Sequence, residues 1–201
     1  MKRIILTAII IFGLTFAFTV DAQTNTSFGI KLNGNLTNVE VSNMQNGNSS
    51  FKPGASVGGF VKIGFGEYFA LQPELLFSYT ESKVTAAGEK TKFKYASMEI
   101  PVYALGQFNV GKGKVFIGVG PNIGYGFSID TETEKLPDWD VNANKLELSH
   151  WYIGGGTIAG YEFRNGLSIN ASYKLGFDLS SKNKTEGVDT QTISLGVGYR
   201  F

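Results

Sequence analysis

The sequence predicts an all-β protein: an eight-stranded antiparallel up-and-down transmembrane β-barrel, preceded by a cleavable signal peptide. Three observations predict it. Apolar residues recur at every second position in eight separate stretches between Ser27 and Phe201. The connections between those stretches alternate short and long. Opposite the bulky residues lies a face of small ones, drawn largely from the 26 glycines of the chain.

Residues 1–22, "MKRIILTAIIIFGLTFAFTVDA", read as the signal peptide. Lys2 and Arg3 supply a positive start, Ile4 to Phe18 an apolar run, and Val20-Asp21-Ala22 a small-residue cleavage site. The run is short of the roughly 20 residues that a spanning helix needs. Residues 23–201 are then the barrel domain. Cleavage removes Lys2, Arg3 and Asp21 and leaves equal numbers of basic and acidic residues, from 18 and 17 in the full chain. That balance offers no cationic excess for nucleic-acid phosphates. Cysteine is absent, so a disulfide framework and a thiolate metal site are both ruled out. No later apolar run is long enough for a helix to cross a membrane. A membrane-embedded mature chain must therefore be a closed barrel, because lipid offers no partner to unpaired N–H and C=O groups.

The first strand, "SFGIKLNGNL", sets Phe28, Ile30, Leu32 and Leu36 against Gly29, Lys31, Asn33 and Asn35. In the second, Ala55, Val57, Val61 and Ile63 oppose Ser56, Gly58, Phe60 and Lys62. The third places Phe69, Leu71, Pro73, Leu75, Phe77 and Tyr79 opposite Ala70, Gln72, Glu74, Leu76 and Ser78. The fourth offers Met98, Ile100, Val102 and Ala104 against Ser97, Glu99, Pro101 and Tyr103. Strand five turns Val115, Ile117, Val119, Ile123, Tyr125 and Phe127 away from Gly118, Gly120, Asn122, Gly124 and Gly126. Strand six alternates less cleanly, with Trp151, Ile153, Ala159, Tyr161 and Phe163 against Gly154, Gly156, Ile158, Gly160 and Glu162. Order returns in strand seven, where Leu167, Ile169, Ala171, Tyr173, Leu175 and Phe177 oppose Ser168, Asn170, Ser172, Lys174, Gly176 and Asp178. The eighth, "TISLGVGYRF", presents Ile193, Leu195, Val197, Tyr199 and Phe201 on one side.

Short connections follow strands two, four and six: "GFGEY", "NVGKGK" and "RNG". Longer polar ones follow strands one, three, five and seven, over residues 37–53, 81–94, 130–150 and 180–190. Short periplasmic turns, longer outer loops and an even strand count describe an outer-membrane barrel. A soluble sandwich or lipocalin-like barrel also alternates, but its solvent face carries many charges. Here the polar face is mostly Gly, Ser, Asn and Ala, which suits the narrow inside of an eight-stranded barrel. Phe and Tyr gather near strand ends, as aromatic girdles require.

"FGIKLNGNLTN" at 28–38, "LQPELLFS" at 71–78, "EIPVYA" at 99–104 and "VGPNIGYG" at 119–126 together resemble the PorT-type outer-membrane β-barrel family. The resemblance covers the chain from about Ser27 to Phe201, and the Q-P-E-L and E-I-P segments are its most specific part. It implies a barrel related in architecture to the small OmpA and OmpX barrels. Tyr199 and Phe201 are similar to the terminal signal read by the barrel-assembly machinery, which makes that machinery a partner during insertion. The namesake member serves a protein-secretion pathway, so other envelope or secretion proteins are implied as partners. Most members have no assigned role.

On the polar face stand Lys31, Lys62, Glu74, Glu99, Glu162, Lys174, Asp178 and Arg200. A buried charge needs a counter-charge. Glu74 and Glu99 are therefore expected to pair with some of Lys31, Lys62 and Arg200 across the lumen, with Lys174 in the same charge cluster. Such pairs serve either as an ionic plug or as a gate that opens by exchanging partners, and an eight-stranded lumen filled by its side chains favours the plug. Two carboxylates also suit glycoside hydrolysis, yet nothing in the sequence sets their separation or supplies a sugar platform.

The remaining motifs carry little chemistry. His150 is the one histidine, and Ser149 beside it points to the opposite face if both lie on a strand, so no dyad forms. His150 and Trp151 instead suit the outer membrane rim, and zinc has no ligand set. "GVGPNIG" and "GGGTIAG" lack nucleotide-loop spacing. The loop after strand five gathers Asp130, Glu132, Glu134, Asp138, Trp139 and Asp140, a candidate interaction surface without a calcium-loop pattern. The expectation is a monomeric, non-enzymatic barrel without cofactor or metal, in contact with outer-membrane lipid, plugged and acting through its loops or in an envelope or secretion role. A narrow porin-like pore for small solutes is the alternative, and a membrane-embedded hydrolase a remoter one.

Overall fold

The computed structural model describes residues 24–41, 51–86, 89–133, 150–179 and 188–201. The expected signal peptide lies outside them. Eight antiparallel strands follow in chain order: β1 (Thr24–Val41), β2 (Lys52–Phe65), β3 (Phe69–Ala86), β4 (Glu89–Val110), β5 (Gly113–Thr133), β6 (His150–Phe163), β7 (Leu167–Asp178) and β8 (Val188–Arg200). Each pairs with its sequence neighbours, and β8 pairs with β1 to close the barrel. The closing seam runs from Gly29 opposite Arg200 to Val41 opposite Val188. One residue further, Phe201 N–H donates to Phe28 O at 2.8 Å.

Period-two alternation decides which way each side chain points. The outer surface carries Phe28, Ile30, Leu32, Phe77, Ile117, Val119 and Ile169, and Leu195 keeps 69% of its surface outside the protein. A soluble fold of this size does not leave such a continuous apolar surface uncovered. A hydrocarbon bilayer covers it. Rings gather at two heights. Phe65–Phe69, Tyr68–Phe108, Tyr161–Phe163 and Tyr199–Phe201 stack at the end with the short turns, with centroids 4.9–6.4 Å apart. Tyr125 meets Phe127 at 4.9 Å and Trp151 at 5.1 Å near the other end. These are the two interfacial girdles of a transmembrane barrel.

All three short turns reverse the chain through a glycine at positive φ: Gly66 at 71°, Gly111 at 61° and Gly166 at 86°. Only glycine takes that conformation without a Cβ penalty. Asn165 adds a side-chain acceptor, its Oδ1 receiving Leu167 N–H at 3.1 Å.

Pro73, Pro101 and Pro121 sit deep inside strands, where each removes a ladder donor. Residue pairing lapses beside each of them: between Ile63–Leu71 and Phe60–Glu74, between Pro73–Val102 and Leu76–Glu99, and between Pro101–Asn122 and Ala104–Val119. The register is the same on both sides of every lapse. A one-residue slip would turn the whole lipid-facing set inward, so the strands resume in phase. Gly120 lies in this belt, where a Cβ would come within 1.8 Å of Val102 O.

The strands run further outward than the sequence reading placed them. The connection expected over 81–94 is almost wholly strand, with Thr80–Tyr95 through Ala86–Glu89 in register. β5 likewise continues to Thr133, so Asp130 and Glu132 lie on a strand rather than in the loop. Asp130 is the extra residue of a β-bulge, since Thr131 pairs with Phe93 and Ile129 with Lys94. Outside the bilayer a strand has no apolar face to announce it. Thr, Val, Phe and Tyr propensity continues it instead. The rest of that expected loop, Glu134, Asp138, Trp139 and Asp140, lies outside the described residues.

Two outcomes test the lipid-facing assignment and the packed belt. Leu195→Arg should destabilise the barrel by about 2–4 kcal/mol, the cost of a cation near the bilayer midplane, in urea titrations of protein folded in lipid vesicles. In the same titration Gly120→Ala should cost about 1–3 kcal/mol, because its added methyl meets a backbone carbonyl that cannot move alone.

Candidate functional site

Inward alternation brings the charged residues of seven strands into one narrow lumen, where they form three separate ionic groups. Lys31 on β1 donates to both carboxylate oxygens of Glu74 on β3, at 2.7 and 2.9 Å. Gln72, two residues before Glu74 on the same face, adds its Nε2 to Glu74 Oε1 at 2.8 Å. Lys174 on β7 reaches across to Glu99 Oε2 on β4. Nearer the short turns, Glu162 on β6 holds two cations. Its Oε2 accepts from Lys62 Nζ of β2 at 2.7 Å, and its Oε1 from Arg200 Nε and Nη2 of β8, both at 2.8 Å. All but Arg200 are buried.

The geometry corrects the expected pairing. Glu74 does take Lys31, but Glu99 takes Lys174 rather than Lys31, Lys62 or Arg200. Lys62 and Arg200 converge instead on Glu162, a residue the sequence placed on the polar face without giving it a partner. Lys31, Lys62, Glu74, Glu99, Lys174 and Arg200 thus all face the lumen, in three groups rather than one cluster. The side chain of Asp178 lies outside the described residues.

The small-residue face also hides an apolar layer. Ala70, Tyr103, Leu105, Phe116 and Ile158 form a buried cluster from β3, β4, β5 and β6, with Ala70 and Leu105 fully covered. Lys62 Nζ lies 5.6 Å from the centre of the Phe116 ring, close enough for a cation–π attraction. Small neighbours make the room: a Cβ on Gly160 would stand 2.5 Å from Phe116 Cζ, and one on Gly118 2.4 Å from Leu105 Cδ2. The signal was present in the sequence, since Phe60, Phe116 and Ile158 share the parity of the glycines.

Towards the outer end the lumen turns neutral and polar. Asn33 Nδ2 donates to Ser56 Oγ at 2.9 Å, and the Thr37 and Thr192 hydroxyls meet at 3.3 Å. A cavity of ≈ 30 Å³ lies here, lined among others by Asn35, Ser78, Ser97, Glu99, Asn122 and Lys174. That is enough to hold water, since one molecule needs about 10–15 Å³ of such space. Asn122 Oδ1 and Ser78 Oγ have no protein partner and belong to its wall. Among the described residues no three acidic or histidine side chains approach closely enough to hold a metal ion.

Tyr199 and Phe201 sit on the outer surface beside the closing seam, their rings edge to face at 5.4 Å. Trp151 is also on the outer surface, at the rim.

A family model described as the outer membrane protein beta-barrel domain matches residues 10–201. The chain is similar to Ail, the attachment invasion locus protein of Yersinia pestis, solved in complex with the heparin analogue sucrose octasulfate. The two are 15% identical, with 88% of this chain and 99% of that one covered and a TM-score of 0.46. Neisserial surface protein A is 14% identical over 88% and 99% of the two chains, with a TM-score of 0.49. The N-terminal β-barrel domain of Pseudomonas aeruginosa OprF is 12% identical over 88% and 100%, with a TM-score of 0.37. No curated protein matches the chain.

Glu74→Gln should cost about 3–5 kcal/mol in a urea titration, because it leaves Lys31 buried without its counter-charge. The double replacement Lys31→Met with Glu74→Leu should recover most of that loss, since no unpaired charge then remains.

Proposed function

The chain belongs to the outer membrane protein beta-barrel domain family and resides in the outer membrane, and from that premise we propose that it is a non-enzymatic barrel with a sealed lumen, acting through its outer segments on other envelope molecules. The observation that carries this reading is the filled cross-section. The Glu162 group blocks the end with the short turns, the Tyr103–Leu105–Phe116–Ile158 layer fills one wall beside it, and Lys31–Glu74 and Lys174–Glu99 span what is left. The cavity above them is small, ≈ 30 Å³. Solutes find no continuous aqueous path through such a stack.

Within the family the reading extends to the PorT-type branch. Its two most specific segments, Leu71–Ser78 and Glu99–Ala104, contain the carboxylates that take Lys31 and Lys174. The segments that carry the resemblance are therefore those that supply two of the lumen's three bridging carboxylates. On this reading the partners are other envelope or secretion proteins, with the barrel-assembly machinery acting during insertion through Tyr199 and Phe201. Catalysis has no support in the geometry, because every lumen carboxylate in the three groups is already engaged by a cation.

Planar-bilayer recordings of the mature protein should show no steady channel, and Glu74→Gln should lower stability without opening one. Steady ohmic conductance that changes on Glu74→Gln would replace the sealed barrel with a gated narrow pore.

A further inference from the structure

Below the Glu162 group the barrel opens into a second cavity, of ≈ 320 Å³, at the end with the short turns. Its wall holds Lys112, Lys114, Arg164 and Arg200, with Asn109, Glu162 and Phe163 between them. Four cations from two turns and two strands therefore face one concavity. The single carboxylate in that wall is not available to them. Glu162 has both oxygens engaged, one by Lys62 and the other by Arg200. Among the described residues, none forms an ion pair with Lys112, Lys114 or Arg164. Arg200 uses Nε and Nη2 on Glu162, which leaves Nη1 for another acceptor.

Unpaired like charges held together repel, and evolution of a neutral mature chain gives no general reason to gather them here. The turns supply the placement. Gly111 at positive φ reverses the chain directly before Lys112, and the Arg164-Asn165-Gly166 turn projects Arg164 from the neighbouring hairpin. Tyr161 fixes the two turns against each other, its hydroxyl donating to Val110 O at 2.9 Å across the hairpin boundary. That close approach requires Gly113, where a Cβ would come within 2.7 Å of the Tyr161 ring. The cations are thus carried on a braced rim rather than on free-swinging loops.

We propose that this mouth is a binding site for a phosphate-type anion on the periplasmic side of the barrel. A phosphate group carries close to two negative charges and three acceptor oxygens, which matches three unpaired cations and the remaining guanidinium edge better than one carboxylate does. Two sources offer a phosphate oxyanion: a soluble phosphate compound, and the headgroup of an anionic phospholipid in the inner leaflet, whose diester carries a single negative charge and two free oxygens. Phe163 borders the cavity and also lies on the lipid-facing surface, so a headgroup can reach the same cations from the membrane. The site does not depend on whether the lumen above it is sealed.

The test uses the mature barrel in nanodiscs and inorganic phosphate as the probe, read by isothermal titration calorimetry at low salt. In phosphatidylcholine nanodiscs phosphate should bind, and more weakly as salt rises. The Lys112→Ser/Lys114→Ser/Arg164→Ser triple variant should lose roughly tenfold or more in affinity. Lys112→Arg/Lys114→Arg should keep it. Unchanged migration of the folded barrel on unheated gels shows that the triple variant still folds. Nanodiscs containing phosphatidylglycerol separate the two sources: weakened phosphate binding there identifies the headgroup as occupant, and equal binding identifies a soluble anion. No binding by the unaltered protein in phosphatidylcholine, or equal affinity in the folded triple variant, overturns the proposal.

Discussion

An unpaired N–H or C=O group has no partner in hydrocarbon, and each one left open is costly. The rest of this structure follows from that constraint. A sheet can satisfy it only by joining its first strand to its last, which β1 and β8 do from Gly29–Arg200 to Val41–Val188. Closure then separates two surfaces that cannot exchange residues. The outer one takes Leu, Ile, Val and the aromatic rings. The inner one must accommodate every charge that alternation directs inward, with no bulk water to disperse it. The pairing lapses at Pro73, Pro101 and Pro121 remain within register because the outer surface tolerates no slip.

Alternation made the strand count, the two faces and the inward direction of Lys31, Lys62, Glu74, Glu99, Lys174 and Arg200 legible in the sequence. It could not supply partners across the lumen. A residue's face depends only on its parity along its own strand, whereas its height depends on the tilt and stagger of all eight strands together. Glu99 therefore meets Lys174 from β7 rather than Lys31, Lys62 or Arg200. Glu162 was harder still, because β6 is rich in glycine and its apolar positions break rhythm at Ile158. The outer ends of β3, β4 and β5 were misread as loops because their strands continue where no bilayer imposes an apolar face.

The interior also shows how a narrow barrel divides its space. Charges fall into three groups, and beside them Phe116, Leu105, Tyr103 and Ile158 fill part of the section. Glycines opposite them are the complement of those rings, not a separate feature. The expectation of a mostly small, polar lining missed this because it averaged over the face. Volume had to be conserved level by level, as in any close-packed interior.

The three ionic groups tie strands that are not neighbours: β1 to β3, β4 to β7, and β6 to both β2 and β8. Barrels can change circumference by gaining or losing a hairpin, and a lumen lined only with small residues offers such a change little resistance. Here the insertion of one hairpin between β4 and β7 would carry Lys174 away from Glu99 and leave two opposite charges stranded in a widened bore. Diversification of this scaffold is thereby channelled into the outer segments, which can lengthen or vary in sequence while the eight-membered ring stays locked by its own ions.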